Sequence, residues 1–286
     1  MNQHKQDQTP ILFFILTFVY SWGLWLPSIL AGCGVDLGIN AINYTSITVP
    51  IGAFAPLLAA LTLVIKQKGW KAGWHFVRQA FDFKVKPFYL IAAVVIPLII
   101  HAISHVLAPL MGFPVASTLF PAALKVPSVL IAIPYFFLML IIGGGQEEFG
   151  WRGYAQEPLQ KRLGVIPASL LIGVLWGLWH LPLWVMPGDG HSTYPFLAFL
   201  IMTTSISVLY GWLYNASGQK LITVIVFHAM SNTAAPLLPF LIMKEGTPEN
   251  AYWVYAGVNL LAAVIAGIVI QKTEKGNSPK TPAKLA

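Results

Sequence analysis

Cysteine is nearly absent: Cys33 is the single one in 286 residues. That excludes an internal disulfide framework and any cysteine-based metal site. Charge is scarce as well. Asp, Glu, Lys and Arg make up 9% of the chain, against about 25% in soluble domains, which excludes an ordinary soluble fold. Acids are the scarcest charge, with ten Asp and Glu in all. No HExxH sequence occurs, and no internal repeat is visible, which weakens an architecture built on inverted repeats.

What the chain has in abundance is apolar length. It is 57% hydrophobic, with a mean hydropathy of +0.71. A membrane-crossing helix needs about 20 apolar residues. Eight windows qualify, at 11–32, 44–65, 87–111, 127–149, 165–186, 194–214, 221–243 and 251–271. The fold expected is all-α: a polytopic membrane bundle of about eight spans in one domain, 1–271, with its motif core at 127–243. With the N-terminus in the cytoplasm, the inner segments hold 15 of the 17 basic residues, including Arg152, and the outer loops only Lys125 and Lys244. Such a bias sets orientation, so both termini are expected to be cytoplasmic. The formal charge of +7 is thereby assigned to a membrane surface, with membrane lipids as partners and no nucleic acid.

Three peripheral stretches have their own character. In residues 70–83, "WKAGWHFVRQAFDF", Trp70, Trp74, Val77 and Phe81 recur at helical spacing. This predicts an amphipathic helix on the cytoplasmic face. Residues 272–286 are polar and Pro-containing, and are expected to form a disordered cytoplasmic tail. "LAGC" at 30–33 has the shape of a lipoprotein cleavage site, but the apolar run before it is longer than that of a signal peptide.

Ionisable residues within spans are costly and default to function. The sequence "GGGQEEFGWR" at 143–152 ends an apolar run with Glu147, Glu148 and Arg152. Glu148 and Arg152 are at i,i+4, the spacing of an ion pair, while Glu147 points about 100° away. One acid can be neutralised and the other can face a cavity; the bland alternative is two acids at the membrane–water interface. "WGLWH" puts Trp176 and His180 in an apolar helix, where a lone histidine is ordinarily a packing residue. "HAMSN" sets His228 and Asn232 on one face, either as oxyanion donors or as interhelical polar contacts. His101 and His105 in "HAISH" have chelate spacing, but Ala102 stands where a zincin helix has its Glu; they are read as polar packing.

Counting from a turn near Gly164 puts Glu147 and His180 at one level, about 24–26 Å along their helices. Residues 152–163 look too polar for lipid, so the site is expected in the cytoplasmic half of the membrane and open toward it.

Taken together, "EEFGWR", "WGLWH" and "HAMSN", in this order on membrane helices, resemble the CPBP superfamily. These intramembrane endopeptidases include the type II CAAX prenyl proteases and bacterial proteins tied to bacteriocin processing or immunity. The resemblance implies that Glu147 is the general base, activating water with His180, and that His228 and Asn232 hold the oxyanion. It gives Glu148, Arg152 and Trp176 supporting roles. Trp176 replaces the family's more frequent Phe and is read as aromatic packing. A lipidated or membrane-associated peptide is the implied substrate. A zinc version would use Glu147, His180 and His228 as ligands. The metal-free version is preferred, because Asn232 is a poor zinc ligand and a good oxyanion donor. Serine (Gly-x-Ser-Gly) and aspartyl (Gly-x-Gly-Asp) signatures are absent. The rival functions are a transporter with the acids as its ion site, and a non-enzymatic immunity protein.

Overall fold

A computed structural model describes residues 9–242 and 249–277 of the chain. Among these, all regular structure is helical: α1 Thr9–Gly32, α2 Ala41–Gly52, α3 Ala55–Lys68, α4 Trp70–Arg78, α5 Pro87–Leu110, α6 Ser128–Ile142, α7 Glu148–Gly150, α8 Glu157–Leu163, α9 Val165–Trp179, α10 Phe196–Ala216, α11 Leu221–Leu237 and α12 Tyr252–Asn277. A π-helical turn, Trp151–Gln156, joins α7 to α8. Six helical stretches are long and apolar enough to cross a membrane; α2 and α3, bent by 42° at the break between them, are a seventh if the pair is one span and otherwise a re-entrant loop. The remaining predicted span is α11, at 17 residues an apolar helix too short for that class. It is about 25 Å long, and nearly all of it is buried among other helices. The predicted multi-pass helical bundle is therefore what forms.

Small residues set the closest contacts. A Cβ on Gly173 of α9 would lie 2.6 Å from the Thr204 Cα of α10, so these helices touch backbone to backbone, as small residues allow in membrane bundles. The long span of α6 is broken at 143–145. Three glycines end the helix, and Gly144 takes φ +113, a conformation that side chains oppose. α1 is tied into the bundle by hydrogen bonds. The indole of Trp22 donates to Trp179 O at 2.9 Å, and that of Trp179 to Ser21 Oγ at 2.8 Å. Cys33 lies exposed beyond its end.

Hydrogen bonds sort the connections into two ends. At one, Glu249 N–H donates to Thr193 O, Leu119 N–H to Pro236 O, and His105 Nδ1 meets Pro239 O at 2.5 Å. At the other, Lys220 reaches Asp82 at 2.5 Å and Gln160 bonds Asn215. The hydrogen bond from Lys220 holds the Asp82 carboxyl below its usual range. This second end carries Lys66, Lys68, Lys71, Arg78, Lys161 and Arg162.

The amphipathic helix forms as expected, with Gly73, Phe76 and Ala80 turned inward and Trp70, Trp74 and Phe81 exposed. Exposed aromatics at this level suit the interfacial zone of a bilayer. The tail expectation needs correction: α12 continues through Asn277, past the expected boundary at 272. The rest of that tail, 278–286, lies outside the described residues, as do Lys5 and Lys244.

Candidate active site

The site starts from the glycine break. Released from α6, the chain makes a single 3₁₀ turn, Gly145–Glu147, before re-entering helix, and this turn sends the two acids in different directions. Glu148 points into the bundle. Arg152 Nη1 donates to both of its oxygens at 3.1 Å, with neither side chain exposed to solvent. His228 Nδ1 meets the same carboxylate at 2.8 Å. The guanidinium also donates to Ser207 Oγ at 2.7 Å, and that hydroxyl donates to Ser169 O at 2.7 Å. The Tyr210 ring lies 4.5 Å from the guanidinium carbon, a cation–π distance. The π-helical turn starts one residue before Arg152, and such turns gather at functional positions in helices.

Glu147 faces a cavity instead. Its Oε2 accepts from the Trp176 indole N–H at 2.8 Å and from the Trp151 indole at 3.3 Å. Two rigid donors therefore fix one oxygen. Trp176 also holds His180, because its backbone carbonyl accepts from His180 Nδ1 at 2.8 Å. That bond puts the hydrogen on Nδ1 and leaves Nε2 with its lone pair. Glu147, Trp176, His180, His228 and Asn232 all line one cavity of about 280 Å³.

Opposite them, the side-chain amide of Asn232 donates to Gly143 O. A Cβ on Gly144 would lie 2.3 Å from His228 Nε2 and 2.9 Å from Asn232 Nδ2. Gly144 is thus needed twice, for its positive φ and because these side chains occupy the space of a Cβ. His228 spends its Nδ1 hydrogen on Glu148, so Nε2 donates only in the imidazolium form, whose charge Glu148 is placed to offset.

Residues 128–234 match the family model of type II CAAX prenyl endopeptidase Rce1-like proteins. The chain is 28% identical over 238 residues to CAAX prenyl protease 2 of Methanococcus maripaludis, a match covering 80% of this chain and 84% of that protein. It is 24% identical over 231 residues to lysostaphin resistance protein A of Staphylococcus haemolyticus, covering 80% of this chain and 57% of that protein. The chain is thus similar to Rce1-like CAAX prenyl proteases over the stretch that carries its polar motifs. All the motif residues, 147–152, 176–180 and 228–232, fall within the matched region.

The structure bears on several of the sequence expectations. Among the described residues no three His, Cys, Asp or Glu side chains gather closely enough to hold a metal, the set Glu147, His180 and His228 included. His228 Nδ1 is committed to Glu148, and its ring lines the cavity. Trp176 is more than aromatic packing, since its indole donates to Glu147, which Phe cannot do. His101 and His105 are polar packing residues, as expected: His101 Nε2 pairs with the Tyr255 hydroxyl at 3.1 Å, and His105 turns to Pro239 O. His101 does line the cavity.

The polarity of residues 152–163 has another meaning than the one expected. The stretch 152–163 was placed above the bilayer for its polarity, but Arg152 and Gln156 are fully buried in protein. Polar groups at membrane depth are tolerated where protein encloses them. Arg152 accordingly does not count as a surface charge for orientation. His191 and Tyr194, on the connection between α9 and α10, are half-buried lining residues of the cavity, as are His180, Asn232 and Ala235. Asp189, His191, Tyr194, Phe240 and Tyr252 line or adjoin the cavity and carried no recognised motif; the clustering of Asp189 and His191 in "GDGH" was the available signal.

Arg152→Ala strands Glu148 and His228 together and should cost about 3–5 kcal/mol. It should appear as a large drop in melting temperature in detergent, with Arg152→Lys falling between. Trp176→Phe removes one donor to a carboxylate, a bond worth about 1.5–3 kcal/mol, and should cut proteolysis at least about tenfold while the helices stay assembled. Activity at the wild-type level would deny the indole its role.

Proposed function

We propose that this protein is an intramembrane endopeptidase that cleaves near the C-terminus of prenylated CaaX-type or other membrane-associated peptides. Glu147 is the general base and His180 its partner in activating water; His228 and Asn232 are the oxyanion donors. The observation that carries this reading is Trp176, whose two ends hold Glu147 and His180 on the wall of one cavity. With Oε2 clamped by indoles, Oε1 is the oxygen available to water. His180 Nε2 can accept a hydrogen bond from the same water. Water gives its proton to Glu147 as its oxygen attacks the scissile carbonyl, and the carbonyl oxygen gains charge. His228 Nε2–H and the second Asn232 N–H answer that charge, a stabilisation that is commonly the largest single contribution to acyl transfer. Glu148 and Arg152 support this arrangement by holding the His228 ring in place through its Nδ1. The reading invokes no metal.

The test is mass spectrometry of products from a farnesylated CaaX peptide and from a membrane peptidome. Glu147→Gln and His180→Ala should each abolish cleavage, by about 10²-fold or more, with helicity and melting temperature close to wild type. Cleavage by the native enzyme should persist in chelator. Retained proteolysis in both variants would remove the assigned roles.

The basic bias supports a cytoplasmic location for both termini. Cys33, just past the far end of α1, then lies on the opposite side of the membrane. Because Cys33 is the single cysteine and is exposed, it reports orientation without engineering. A membrane-impermeant maleimide should label it in intact cells. Labelling that requires permeabilised cells would reverse the orientation.

A further inference from the structure

The connection between α9 and α10 carries two titratable side chains that the mechanism above leaves idle. Asp189 caps the 3₁₀ turn Gly190–Thr193, and its Oδ1 accepts from the His191 backbone N–H at 2.9 Å and from His191 Nδ1 at 2.6 Å. A carboxylate only accepts, so the Nδ1 hydrogen is fixed and Nε2 is the nitrogen left to act. Burial pushes the Asp189 carboxyl up, but the hydrogen bonds from His191 outweigh it and hold the group below the ordinary carboxylate range. The pair therefore stays a carboxylate facing an imidazole.

The His191 ring is held by Trp184, Phe199 and Tyr194 at centroid distances of 5.2, 5.4 and 5.5 Å. It stands on the wall of the same cavity as Glu147, 5.8 Å from the His180 ring and tilted to it by 33°. Its titratable neighbours are Asp189, His180 and Tyr194. Its side chain is 26% exposed, whereas Glu147 and His228 are 6% and 3% exposed. It is exposed enough to exchange protons with water.

Peptide hydrolysis has a second proton requirement. The nitrogen of the breaking C–N bond must be protonated, because an amide anion is too basic to leave. Glu147 is clamped on one oxygen by two indoles and holds the proton taken from water, while the Nδ1–H of His180 is spent on Trp176 O. We propose that His191, oriented by Asp189, is a further catalytic residue that donates the leaving-group proton from Nε2. This rests on the endopeptidase reading. As the tetrahedral intermediate collapses, the C–N electron pair moves to nitrogen, which takes the proton from the His191 imidazolium. Acid and amine products separate. Glu147 then releases one proton to water and His191 takes one up, so the cycle closes with no net proton held.

The experiment compares a farnesylated CaaX peptide with its depsipeptide analogue, in which oxygen replaces the scissile N–H. An alkoxide leaves with much less need of a proton donor. His191→Gln should lower kcat for the amide by about 10²-fold, with KM little changed, and leave ester cleavage within about threefold of wild type. Asp189→Asn should slow the amide selectively but less. Equal losses on both substrates, or no loss on either, would overturn the assignment; melting temperatures separate an unfolded variant, for which His191→Asn is the replacement. A wild-type protein that cleaves neither probe in a Glu147-dependent way would instead overturn the endopeptidase reading, and the inference with it.

Discussion

A carboxylate with no solvent exposure inside an apolar bundle must be compensated, and Glu148 is compensated twice. Arg152 grips both of its oxygens, and His228 bonds one of them. Removing charges from water costs several kcal/mol each unless geometry and hydrogen bonding repay it. Here the repayment ties three structural units together: the turn after the glycine break, the π-helical turn and α11. Ser207 and Ser169 extend it into α10 and α9. The short α11 has its place in the bundle fixed largely through this buried network, and His228 and Asn232 are placed with it.

The same turn gives the neighbouring acid a different fate. Glu147 has no cationic partner in the hydrogen-bond pattern; it has two indole donors and an open cavity. An acid held by neutral donors keeps an oxygen for water, whereas an acid held by arginine is quenched. Adjacent residues thus divide structural and chemical work because successive side chains leave a helical turn in different directions. The glycines matter for a related reason. Gly144 bends the chain at a φ closed to side chains and leaves the space where His228 and Asn232 sit. Pocket and break are one feature.

Much of this was legible in the chain. Long apolar windows flanked by lysines predict a multi-pass helical bundle, and the spacing of Trp70, Trp74 and Phe81 predicts the interfacial helix. The i,i+4 offset of Glu148 and Arg152 predicts their ion pair, which forms despite the π-helical turn between α7 and α8. What misled was polarity taken without partners. Residues 152–163 read as solvent-facing because Arg152 and Gln156 are polar, yet both are buried against α9 and α10. Trp176 read as packing because the sequence does not reveal what its N–H meets.

The sequence by itself determined that the chain is a multi-pass helical bundle, which acid pairs with Arg152, and which face of α11 carries His228 and Asn232. These follow from periodicity and composition, which act within a single helix. Only the tertiary structure decided that one indole links Glu147 to His180, that Gly144 yields its side-chain space to His228, and that His191, paired with Asp189, stands on the wall of the same cavity. Those facts depend on residues far apart in the chain meeting across helix interfaces, and no local pattern encodes which face of one helix will find another.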